Sequence, residues 1–117
     1  MEKDAAIGAL GALAHDSRLD IFRLLVRAGP DGMAAGEVAR ATGSLANTLS
    51  TNLAILSRAG LIASRRDGRS IIYTAAYDQM RGLLAFLMED CCAGNPAVCA
   101  PLAEIASRSC VAEGASC

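Results

Sequence analysis

Between Ala34 and Ala59 the chain reads AAGEVARATGSLANTLSTNLAILSRA, and this stretch limits the possible folds most strongly. Val38 gives a short helix one inward residue, Gly43 interrupts it, and Leu49, Leu53 and Leu56 then recur at the spacing of a single helix face. Two helices joined by a glycine turn make a helix-turn-helix outline. With the leucines inward, Asn47, Thr48, Ser50, Thr51 and Asn52 gather towards the exposed N-terminal half of the second helix, and Ser44 is expected to cap it.

The flanking sequence extends the pattern. After Gly60 come LIASRR, Asp67-Gly68 and RSIIYTA, two β-type runs with a hairpin turn expected at Asp67-Gly68. Upstream, Ile7, Leu10 and Leu13 stand at helical spacing between Glu2 and about Ala14, while Gly8 and Gly11 leave surfaces open to close approach. Asp16 or Ser17 is expected to cap the next helix, whose stripe is Leu19, Phe22, Leu25 and Val26 and whose end is Gly29-Pro30. From Tyr77 to Cys92 the helical period returns, with Met80, Leu83, Leu84, Leu87, Met88 and Cys91 on one broad face. So long an apolar face requires a partner, and Leu83, Leu84 and Leu87 are the expected dimer contacts. Gly94-Asn95-Pro96 ends that helix, and a further short helix is expected over Ala100 to Arg108, before a poorly ordered tail.

Aromatic residues make up 3% of the 117 and tryptophan is absent, so the core must be aliphatic, which favours packed helices over a β-sandwich. The expected fold is mainly α with a small β-hairpin, in one domain: residues 1–93 carry the helices and hairpin, and residues 94–117 form a cysteine-bearing extension. The longest apolar stretches fall short of the roughly 20 residues a membrane span needs, and no export signal precedes them. No membrane partner and a cytoplasmic location are expected.

The formal net charge is −1, so any nucleic-acid surface must be local. Arg58, Arg65, Arg66 and Arg69 fall in a twelve-residue window opposed only by Asp67. Guanidiniums on a helix end and the adjoining hairpin suit phosphate contacts, and the polar residues from Ser44 to Asn52 suit base edges in a major groove. Double-stranded operator DNA is therefore the expected partner.

ALAHDSRLDIFRLL at Ala12 to Leu25, LANTLSTNLAILSRAGLI at Leu45 to Ile62 and RRDGRSIIYTA at Arg65 to Ala75 resemble the ArsR/SmtB family of metal-sensing repressors. The resemblance runs to about Cys92, and among its members the chain looks most like the arsenite-responsive repressors. It implies a winged helix-turn-helix, a homodimer built from the first and last long helices, and operator release when an inducer binds. The chain departs from the family at Asn52, where histidine is frequent. His15, the only histidine, is read as a capping or structural residue.

Family metal sites vary in place, so the inducer chemistry rests on this chain's own cysteines. The positions matching a cysteine motif on the first helix of the helix-turn-helix are Ala34 and Gly36, and a zinc-type site on the last helix lacks its histidines. All five cysteines lie between Cys91 and Cys117. In CCAGNPAVC, Cys91 and Cys92 end the expected helix and Cys99 follows a Gly-Asn-Pro turn, so three sulfurs can converge. Three thiolates suit As(III) or the similar Sb(III), whereas tetrahedral Zn²⁺ wants a fourth ligand. Cys110 and Cys117 are accessory ligands or free thiols.

Other readings stand beside this one. Cys91 as a buried core thiol with the rest in a tail gives no sensor. The same thiols give a redox-sensing repressor, with Cys91 or Cys92 pairing to Cys99 or a tail thiol. An arsenic-carrying thiol protein would not need the arginine-bearing hairpin. No nucleophile, base and orienting group cluster in the sequence, so enzyme function and an organic cofactor are not expected.

Overall fold

A computed structural model describes residues 1–88. The elements are α1 (Lys3–Leu13), α2 (Asp16–Ala28), β1 (Met33–Ala34), α3 (Ala35–Thr42), α4 (Ala46–Arg58), β2 (Ile62–Asp67), β3 (Ser70–Ala75) and α5 (Tyr77–Leu87). The strands form one antiparallel sheet in the order β1-β3-β2. The expected helix end at Cys92, the short helix over Ala100 to Arg108 and all five cysteines lie outside the described residues.

The core is aliphatic. Ile21, Leu25, Val38, Leu56 and Leu61 are its largest fully buried side chains, joined by Leu49 and Leu53 of α4 and by Phe22 of α2. Along α1 the inward face is Ala6, Ala9 and Ala12, all buried, while Ile7 is 56% exposed and Leu10 is also exposed. The helix expected over this segment therefore forms, but Ile7 and Leu10 point out, and of the three expected inward residues only Leu13 packs against the core. Alanine, the best helix former, has no bulk to hold α1 away from the helices it packs against, α2 and α4. In α2 the stripe is likewise rotated: Ile21 joins Phe22 and Leu25 inside, and Leu19 is exposed.

The caps differ from those expected. His15, with extended φ −155 and ψ 132, occupies the N-cap of α2 without a side-chain cap bond, instead of Asp16 or Ser17. Arg18 steadies this corner by donating from Nε to the Ala12 carbonyl at 2.6 Å. At α4 the N-cap is Leu45, not Ser44, whose hydroxyl lies 2.8 Å from that of Thr42. The α4 C-terminus is closed by a Schellman arrangement: Gly60 N–H donates to Ser57 O and Leu61 N–H to Leu56 O, with Gly60 at φ 77. Leu61 thereby enters the core beside Leu56, and the chain passes directly into β2.

Asp67 pairs with Ser70, so the hairpin's two turn residues are Gly68 and Arg69, one position later than expected. Gly68 supplies the positive φ of 62. The short strand β1, which has too few residues to show a period, pairs Met33 with Tyr73 and Ala34 with Ile72. Gly32 makes that approach possible: it sits at φ 72, and a Cβ there would collide with the Tyr73 carbonyl oxygen.

This contrast between glycines is testable by chemical denaturation. Gly43 has a similar φ of 69 but open space where a methyl would go, so Gly43→Ala should cost about 1–2 kcal/mol, the left-handed backbone strain alone. Gly32→Ala should cost clearly more, because β1 must also leave β3.

Candidate nucleic-acid interface

The burial of Leu49, Leu53 and Leu56 decides which side of α4 faces solvent. Asn47, Thr48, Ser50 and Thr51 are exposed on it, near the helix N-terminus. Thr51 also donates its hydroxyl to the Asn47 carbonyl at 3.1 Å, a local bond that breaks readily for a better acceptor. Asn52 does not belong to this set. It is 4% exposed, flanks Leu53 on the inward side, and its Nδ2 has no hydrogen-bond partner, so it cannot reach a base edge. Ser44 is half-buried and engaged with Thr42, which makes it a turn residue first.

The arginines divide by position. Arg58 is exposed in the last turn of α4, about 12 Å along the axis from Ser50 at 1.5 Å per residue, too far to share its contacts. Arg66 and Arg69 are exposed on the hairpin and are not ion-paired among the described residues, where the one salt bridge joins Arg81 to Asp78. Arg65 has other work. Its guanidinium donates to the Asp31 carbonyl at 2.8 Å and, at 3.4 Å, to that of Pro30, clasping β2 to the loop between α2 and β1. Such carbonyl acceptors are set by the fold and leave no mark in the local sequence.

Between α4 and the hairpin lies an open cleft of about 430 Å³. Ser50 and Arg69 line it, above an apolar wall that includes Leu49, Leu53 and Tyr73, and Ala34 to Gly36 of the α3 start complete it. The Arg69 guanidinium in this trough suits a sugar-phosphate strand, while the exposed α4 residues, Ser50 among them, suit base edges. Glu37 accepts from the Ala34 N–H at 3.1 Å and so closes the first turn of α3 from within. Among the described residues no group of histidine, cysteine, aspartate and glutamate could hold a metal ion.

A positioning helix, an exposed polar helix and an arginine-bearing β-hairpin define a winged helix-turn-helix of the DNA-binding kind. Residues 13–65 match the helix-turn-helix domain family. The HTH-type transcriptional regulator YgaV of Escherichia coli K12 is 35% identical over 89 residues, covering 76% of this chain and 88% of YgaV. Among solved structures, the homodimeric winged helix-turn-helix domain of Mb0332 from Mycobacterium bovis, a possible ArsR-family transcriptional regulator, is 34% identical with a TM-score of 0.61, covering 74% of this chain and 80% of that one. HlyU from Vibrio cholerae N16961 is 28% identical with a TM-score of 0.61, covering 79% of this chain and 99% of HlyU. The chain belongs to the ArsR-type winged helix-turn-helix transcriptional regulators.

Two neighbouring arginines should therefore behave differently. Arg66→Ala should weaken binding to any duplex and lower the slope of log affinity against log salt by about 0.9 for each phosphate no longer neutralised, with little change in thermal stability. Arg65→Ala should lower the melting temperature, because it also removes the loop clasp. Asn47→Ala or Ser50→Ala should instead change sequence preference in a binding-site selection, by about 1–3 kcal/mol per base contact.

Proposed function

We propose that the chain is a homodimeric repressor that holds operator DNA until Cys91, Cys92 and Cys99 capture As(III). The observation that carries this reading is the distribution of the thiols. All five cysteines fall between Cys91 and Cys117, three of them within CCAGNPAVC, and residues 1–88 contain none. The sensor set lies outside the described residues and is argued from its chemistry. Sb(III) is the expected second inducer, and the cytoplasm, with its reducing pool, is the compartment in which free thiols persist.

Arsenous acid condensing with three thiols forms three As–S bonds and releases three waters, with no net proton and no change of oxidation state. Electrostatic repulsion of DNA is therefore a poor switch. Restraint of the chain that follows α5, favouring a dimer geometry that misses successive grooves, is the better one. Moving an operator from 1:99 to 99:1 empty takes about 5.5 kcal/mol of differential binding, within reach of three strong bonds.

The dimer has its own support. Ile7 and Leu10 of α1 and Leu84 and Leu87 of α5, the last two 50% and 51% exposed, leave apolar surface on the first and last of the described helices. The Mycobacterium bovis relative is homodimeric. Leu83, also expected at the interface, is only 5% exposed and packs into the chain's own core. Leu84→Glu should give a monomer or aggregate by sedimentation, with operator affinity lost alongside.

A thiol redox switch is the second reading, favoured by the relative HlyU, for which a reduced form has been solved. There, two thiols would give a disulfide, two protons and two electrons to a peroxide-class oxidant. The third sulfur separates the two chemistries. Cys91→Ser, Cys92→Ser and Cys99→Ser should each keep operator affinity while abolishing or strongly blunting release by As(III), and changing Cys110 and Cys117 together should matter much less. Full release by As(III) after Cys99→Ser would end the three-thiol reading. Release by peroxide alone, in the wild type, would establish the redox one.

A further inference from the structure

A cleft of about 250 Å³ separates α2 from the C-terminal end of α3. Asp20, Arg23, Leu24 and Arg27 form one wall, and Ala41 and Thr42 the other. Arg23 and Arg27 stand one turn apart on the same helix face, both are exposed, and neither is ion-paired among the described residues. Like charges at this spacing repel, so the pair weakens α2 unless an anion lies between them. Asp20 lines the same cleft without forming a salt bridge to either arginine, which leaves the cleft with a net positive charge.

The opposite wall connects directly to the recognition surface. Thr42 donates its hydroxyl to the Val38 carbonyl at 2.8 Å and lies at the same distance from the Ser44 hydroxyl. Gly43 then makes the left-handed turn, and α4 begins at Ala46. The cleft therefore opens beside the turn that leads into the helix carrying Asn47 and Ser50.

We infer that Arg23 and Arg27 form a second phosphate-binding cleft, which takes the DNA backbone at the edge of the groove entered by α4. The inference rests on the DNA-binding reading of α4 and the hairpin. The cleft is open and offers little apolar wall, so it cannot enclose a small molecule, whereas a polyanion needs no enclosure. Asp20 opposes capture of a free anion. A phosphate delivered by a duplex already docked on α4 arrives at high effective concentration and overcomes that opposition.

The test uses the full chain and a fluorescent random-sequence duplex of roughly 30 base pairs, because non-specific binding is electrostatic and needs no known operator. The R23Q/R27Q variant should lower the salt slope by about 0.9 for each phosphate that the two arginines neutralise, and each single variant by about half of the total change. R23K/R27K should retain most of the slope, because the positive charges remain. Circular dichroism melts should match the wild type for R23K/R27K and match or slightly exceed it for the glutamine variants, since both side chains are exposed and glutamine removes the repulsion between them. A wild-type slope in R23Q/R27Q, alongside the reduced slope of Arg66→Ala, would overturn this cleft and leave the recognition surface standing. Absence of salt-dependent binding by the wild type would remove the DNA-binding reading, and this inference with it.

Discussion

Everything on the surface that matters depends on one buried contact line, the seating of Leu49, Leu53 and Leu56 of α4 against the core, closed by Leu61 after the Schellman turn. A helix has a single inward face at this width, so the leucines determine the outward one. They present Asn47 and Ser50 to solvent and draw Asn52 inside. The same Leu61 position launches β2, so the angle between the helix and the hairpin descends from the packing of a few side chains. The DNA-facing geometry is a by-product of core packing, which explains how a chain of net charge −1 can carry a basic surface only where the fold gathers it.

Much of this was legible in the sequence. The Gly43 break, the α4 leucines and the Asp-Gly hairpin signal all act locally, through backbone propensity and periodicity, and each appears within a residue or two of its expected place. What was not legible depends on neighbours distant in the chain. Alanine and leucine compete for the inward face of α1, and periodicity alone favours the larger residue. The structure buries Ala6, Ala9 and Ala12 because α2 and α4 pack close to that face. Likewise Asn52 reads as one of five polar residues, and only the register of Leu53 and Leu56 reveals that it lies inside. Arg65 reads as one of four surface cations, and only the fold brings the Pro30 and Asp31 carbonyls to it.

The candidate site is therefore two kinds of surface with different origins. The α4 residues owe their position to local periodicity, and sequence reasoning found most of them. Arg23 and Arg27 lie on α2, outside the helix-turn-helix and hairpin motifs, and sequence reasoning passed over them because their significance comes from the C-terminal end of α3 folding back beside them. The sensing chemistry is of a third kind. It is concentrated in CCAGNPAVC, and its case rests on the affinity of soft ions for thiolates.

The Arg65 clasp has an entropic consequence. A two-stranded ribbon projecting from a small domain would ordinarily sample many orientations, and a docking duplex would have to select one of them at a cost in free energy. By tying β2 to the carbonyls of Pro30 and Asp31, the chain meets that cost during folding, while β1 pairs along the other edge of β3. The hairpin then behaves less like a flexible finger than like the fixed jaw of a caliper. Its distance from α4 is set by the fold itself, through contacts made within the chain.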